Sequence, residues 1–80
     1  MTKLEQKLLQ LGYRSNEANE YRFWVKRINN KCYIYIYLNE DKTHILNKNV
    51  DRMLYSKQDY LEAYDVMQKD LEEIKKYEQA

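Results

Sequence analysis

Residues 32–38, CYIYIYL, alternate tyrosine with an aliphatic residue or cysteine at every step. A period of two places successive side chains on opposite sides of a pleated strand, so this stretch predicts a strand with one aliphatic and one tyrosine face. β-Branched and aromatic residues also suit a strand. Asn29-Asn30, just before it, suits a two-residue type I′ turn, because asparagine tolerates positive φ. Residues 21–28 and 31–38 then form an antiparallel hairpin. Pairing across that turn sets Arg27 opposite Cys32, Val25 opposite Ile34, Phe23 opposite Ile36 and Tyr21 opposite Leu38. The other face joins Lys26 to Tyr33, Trp24 to Tyr35 and Arg22 to Tyr37. A slip of one residue would invert a whole strand, and the clean partition into an aliphatic and an aromatic-basic face favours this register.

The aliphatic face needs a cover, and the flanking segments supply it. Residues 2–11 read as a helix: Thr2 and Glu5 make a capping box, Leu4, Leu8 and Leu11 form a stripe, and Gly12 sits where a left-handed residue ends the helix. Residues 13–20, YRSNEANE, are polar and aperiodic and read as a loop. Residues 39–42 form a second turn. Residues 43–50 add a third strand, in which either Ile45 or Leu46 points to the core. Residues 57–78 read as the last helix, with Ser56 as N-cap and Asp59 in a capping-box variant. Its stripe is Tyr60, Tyr64, Met67, Leu71 and Ile74, widened by Leu61. Asp65–Lys69 and Glu72–Lys76 are i,i+4 pairs in the favourable orientation. The expected fold is one α+β domain spanning residues 1–80, in the order α-β-β-β-α. It holds a three-stranded antiparallel meander with both helices packed on one face.

Composition bounds what such a domain can do. Hydrophobic residues make up 44% and charged residues 34%, which fits a folded chain. A domain of this size has little room for a deep pocket beside its core, so a binding surface is expected rather than an enzyme. The net charge of +1 implies neither nucleic acid nor membrane. Cys32, the single cysteine, suits a reducing compartment. No apolar run has membrane-span length, and the start MTKLEQKLLQLG lacks a signal-peptide core, so a cytoplasmic location is expected. Asn, Lys, Ile and Tyr all have AT-rich codons, which offers a genomic explanation for the abundant tyrosine beside a selected one.

The aromatic-basic face is the candidate partner-binding site: Arg22, Trp24, Lys26, Tyr33, Tyr35 and Tyr37. Tyrosine and tryptophan give large contact area at low entropic cost and keep a polar handle. The same set could stack bases and hold phosphates, or only stabilise the hairpin through cross-strand pairs. Charge is also segregated. Residues 1–55 carry ten Lys/Arg and six Asp/Glu (+4), and residues 56–80 carry four and seven (−3), which sum to +1. The acidic last helix could imitate nucleic acid, but three excess negative charges are few for mimicry and a solvated helix face is the favoured reading. Its 4-3-4-3 apolar stripe could be a dimer seam, but packing on the sheet is the favoured reading. His44 with Glu40 and Asp41 makes at most a weak metal site, and Cys32 lies too far along the neighbouring strand to join His44 as a ligand or nucleophile. No catalytic residue, metal or cofactor is therefore expected.

The segments LEQKLLQLGY (4–13), KCYIYIYLNEDKT (31–43) and YDVMQKDLEEIKKYE (64–78) resemble short proteins of phages and integrated elements of low-GC Gram-positive bacteria. The resemblance spans most of the chain and rests on pattern and composition. That pool includes anti-CRISPR proteins, which bind and block Cas nucleases. The resemblance thus implies a phage or mobile-element inhibitor in the bacterial cytoplasm, most concretely one that binds Cas9 or its guide-RNA complex. A nucleic-acid-binding regulator using the same face, and an accessory protein that dimerises through the last helix, are the alternative expectations.

Overall fold

A computed structural model describes the backbone of residues 1–29, 32–52 and 57–79, and the side chains of residues 1–29, 32–51 and 57–76. Its elements are α1 (Lys3–Gln10), a short 3-10 turn (Glu17–Asn19), β1 (Phe23–Arg27), β2 (Cys32–Leu38), β3 (Ile45–Arg52) and α2 (Lys57–Gln79). The three strands form one antiparallel sheet in the order β1-β2-β3. The order is α-β-β-β-α, as the sequence implies. The expected turn residue Asn30 and helix cap Ser56 lie outside the described residues.

α1 forms where its start and stop signals agree. Thr2 Oγ1 accepts from the Glu5 N–H at 3.2 Å, and the Thr2 N–H donates to Glu5 Oε1 at 2.9 Å. Thr2 Oγ1 also donates to Lys42 O at 2.7 Å, tying the helix start to the β2–β3 turn. At the other end Gly12 takes φ +100°, which a residue with a Cβ rarely adopts. The Tyr13 N–H reaches Leu8 O at 2.9 Å and the Gly12 N–H reaches Leu9 O at 3.1 Å, a Schellman ending. That motif favours a hydrophobic contact between the residues corresponding to Leu8 and Tyr13, and both are fully buried.

Tyr13 is therefore core, a correction to the loop reading of residues 13–20. The next residue pairs with the sheet edge: Arg14 and Val25 exchange two backbone hydrogen bonds, each 2.9 Å.

The hairpin register differs from the expected one by one residue. Phe23 lies opposite Tyr37, Trp24 opposite Ile36, Val25 opposite Tyr35, Lys26 opposite Ile34 and Arg27 opposite Tyr33. The reason lies in the connection. The Ile28 N–H donates to Cys32 O at 3.0 Å, and Asn29 Oδ1 accepts the Cys32 N–H at 2.9 Å, so Ile28 rather than Arg27 is the residue set against Cys32. This inverts β1 relative to β2. Trp24, the largest side chain, is buried beside Ile34 and Ile36, and Phe23 and Val25 turn to the opposite face.

In β3 a bulge resolves the choice between Ile45 and Leu46. Leu38 pairs with Ile45 and Tyr37 with Asn47, so Leu46 is the extra residue. Leu46 is exposed, whereas Ile45 packs against the core.

α2 packs on β2 and β3 and touches α1. Its buried positions are Ala63, Met67, Asp70 and Ile74, with Tyr60, Val66 and Leu71 at the margins. Tyr64 and Leu61, placed in the stripe by the sequence, are exposed. Leu4 and Leu8 of α1 complete the same core, so both helices serve one side of the sheet. The Asp65–Lys69 pair forms at 3.2 Å, but Lys76 pairs with Glu73 at 3.6 Å rather than with Glu72.

Asp70 is carried into this interface with partners. Its Oδ2 accepts from Tyr13 Oη at 2.9 Å and from Lys26 Nζ at 2.8 Å. Lys26 Nζ also lies 5.4 Å from the centre of the Tyr13 ring. A buried carboxylate is costly unless paired and hydrogen-bonded, and here it has both an ammonium and a hydroxyl. Burial, and then the adjacent Asp70 charge, push the Tyr13 phenol far above its ordinary pKa.

Candidate binding surface

The sheet face away from the helices carries three cross-strand rows: Phe23–Tyr37–Asn47, Val25–Tyr35–Asn49 and Arg27–Tyr33–Asp51. None of these residues belongs to the hydrophobic core. The alternation along β2 produces the central tyrosine column, as its sequence pattern requires.

Local contacts hold the aromatic rings in place. Phe23 and Tyr35 stack with centroids 5.5 Å apart and 23° between planes. The Arg22 guanidinium lies 5.0 Å from the Tyr37 ring centre, and its Nε–H donates to Leu38 O at 3.2 Å. Tyr33 Oη donates to Asp51 Oδ2 at 2.8 Å, and that bond holds the Tyr33 phenol above its ordinary pKa. Tyr37 remains 37% exposed, enough to offer its ring to a partner.

Beside β1 the face runs into an open depression of about 260 Å³, lined by Arg14, Ser15, Asn16, Asn19, Phe23 and Val25. Ser15 Oγ donates to Phe23 O at 2.7 Å and closes one wall. At the end of this segment Glu20 and Tyr21 are consecutive left-handed residues, with φ 53° and 57°. The Trp24 indole N–H donates to Tyr21 O at 2.7 Å and steadies that turn from inside the core. The Tyr21 ring is exposed.

Of the six residues expected at the site, Arg22, Tyr33, Tyr35 and Tyr37 meet on this face. Trp24 and Lys26 do not. Trp24 is 1% exposed and belongs to the core, and Lys26 is turned to Asp70. Phe23, Val25 and Arg27 take their places. The cause is the one-residue difference in register, which moves every β1 side chain to the other face.

The remaining chemistry-bearing residues do not converge. His44 Nδ1 lies 2.9 Å from Thr43 Oγ1 and the residue is exposed, whereas Cys32 is buried. Among the described residues no three His, Cys, Asp or Glu side chains cluster as a metal-holding group, and no helix is long and apolar enough to cross a membrane. No protein-family model, curated protein or solved structure matches this chain.

Proposed function

We propose that this protein acts by binding a protein partner through the open sheet face, as a phage or mobile-element inhibitor that occludes its target. The observation that carries the reading is the three-row array of Phe23, Val25, Arg27, Tyr33, Tyr35 and Tyr37 beside Asn47, Asn49 and Asp51. Tyrosine and arginine are typical interface anchors, and an aromatic centre with a polar margin is the usual anatomy of such a surface. Charge weighs against nucleic acid as the partner. Lys26 is committed to Asp70, so among the described residues the cations of the array are Arg22 and Arg27, with Arg14 in the adjoining depression and Asp51 in the same array. A phosphate-tracking surface needs several uncompensated cations.

The resemblance to small phage and mobile-element proteins supplies the particular target, guide-loaded Cas9 of a type II system, in the cytoplasm of a bacterial host. The test is retention of purified guide-loaded Cas9 by the tagged protein, beside a Tyr35→Ser/Tyr37→Ser variant whose fold is checked by circular dichroism. Wild-type retention lost in the variant supports inhibition through the sheet face. Absence of retention removes Cas9 as the target, and equal retention by the folded variant removes the sheet face as the site. Capture of single-stranded RNA in place of protein, with affinity falling steeply with salt, would replace the protein-binding reading.

A further inference from the structure

β3 is an edge strand of eight residues, and among the described residues its outer side has no neighbouring strand. The hydrogen-bond pattern shows which of its amides face outward. β2 bonds to β1 through its even-numbered residues: the Leu38 N–H reaches Arg22 O, and Cys32 O accepts from the Ile28 N–H. Its odd-numbered residues Tyr33, Tyr35 and Tyr37 therefore bond to their β3 partners Asp51, Asn49 and Asn47. The amides of Lys48 and Val50 then point away from the sheet. Each is met by the side chain of the residue before it: the Lys48 N–H donates to Asn47 Oδ1 at 2.9 Å, and the Val50 N–H donates to Asn49 Oδ1 at 2.9 Å.

Outward amides on an edge strand are the template on which another strand adds. Asparagine is a poor strand former, so its use at two alternate positions of one strand needs a reason. We propose that the outer edge of β3 is a latent pairing surface for β3 of a second copy of this chain, and that Asn47 and Asn49 hold it shut by occupying the amides such pairing needs.

The edge is self-complementary. Two β3 strands related by a two-fold axis at Asn49 set Lys48 opposite Val50 of the second copy and Asn47 opposite its Asp51, with no like charges face to face. Lys48 and Val50 are also the residues whose amides and carbonyls face outward, so the backbone bonds of this register can form once the asparagine side chains rotate away.

Two variants test the proposal. In Asn47→Ala/Asn49→Ala, hydrogen exchange followed residue by residue by NMR on the dilute protein should accelerate roughly fivefold or more at the Lys48 and Val50 amides, against unchanged exchange in β2. In Asn47→Thr/Asn49→Thr, which keeps two polar side chains and improves strand propensity, sedimentation velocity should show a dimer that grows with concentration where the wild type shows a single smaller species. Circular dichroism checks that both variants fold. The proposal is overturned if the two amides exchange in the alanine variant as they do in the wild type. It is also overturned if the threonine variant matches the wild type at every concentration, or if the wild type already self-associates with protection of the Lys48 amide.

Discussion

Replacing Trp24 with alanine tests the hairpin register, because the two possible registers give opposite results. In the observed register the indole is 1% exposed among Ile34, Ile36 and the other core residues, and its N–H donates to Tyr21 O at 2.7 Å. Truncating a buried tryptophan costs about 3–5 kcal/mol through lost transfer energy and the cavity left behind. Loss of the hydrogen bond to a carbonyl that steadies two left-handed residues adds about 1 kcal/mol. A single core in a domain this small supplies roughly 3–5 kcal/mol in total. The variant should therefore be largely unfolded at room temperature. Urea and thermal melts followed by far-ultraviolet circular dichroism provide the assay, with the wild type giving a cooperative transition. Trp24 is the single tryptophan, so wild-type fluorescence should be blue-shifted and move to the red across that same transition. If Trp24→Ala instead melts within about 1 kcal/mol of the wild type, the indole is not core and the register argument fails.

Asp70→Ala leaves the Lys26 ammonium and the Tyr13 hydroxyl without their shared acceptor, and should cost roughly 3 kcal/mol in urea melts. A Lys26→Met/Asp70→Leu double variant, which removes both charges and fills the space, should recover most of that loss. Tyr13→Phe should cost about 1 kcal/mol near neutral pH, because one hydrogen bond is lost while the ion pair remains. Its alkaline behaviour carries a definite sign. An unfolded tyrosine loses its proton near pH 10, whereas burial and Asp70 keep Tyr13 protonated in the fold. The native state then binds more protons than the unfolded state, so this contribution is complete below about pH 10 and declines above it by up to about 1.4 kcal/mol per pH unit. Urea melts above that pH should show the wild-type advantage over Tyr13→Phe shrinking, and a constant difference would contradict the burial of this phenol.

The parts of the fold that are legible in the sequence are those in which one short-range pattern has a single reading. The alternation of β2 is of that kind: only one parity is aliphatic, so Tyr33, Tyr35 and Tyr37 share an outer face in any register. The ends of α1 are another, since the Thr2–Glu5 box and the left-handed Gly12 are local devices. β1 has no such asymmetry. Its segment YRFWVKR offers Phe23 and Val25 on one parity and Trp24 on the other, and both sets are apolar enough to be core. The choice falls to features that leave no periodic trace. One is the pairing of Ile28, rather than Arg27, with Cys32 at the end of the hairpin. The other is a carboxylate 44 residues away that lets Lys26 enter the interface beside Trp24. Asp70 itself could be suspected, because positions 63, 67, 70 and 74 make as regular a stripe as the tyrosine-rich alternative, and an acid in that stripe needs a buried partner. Tyr13 carries a clearer signal, since an aromatic residue directly after a helix-ending glycine occupies the hydrophobic position of a Schellman motif. Once Asp70 is placed inside, Lys26 and Tyr13 are its natural partners. Lys26 on the inner face then draws Trp24 with it by strand parity, and Phe23 and Val25 are left beside the tyrosines. The composition of the candidate surface thus depends on the pairing at the hairpin end together with a partly buried ion pair on the opposite face of the sheet.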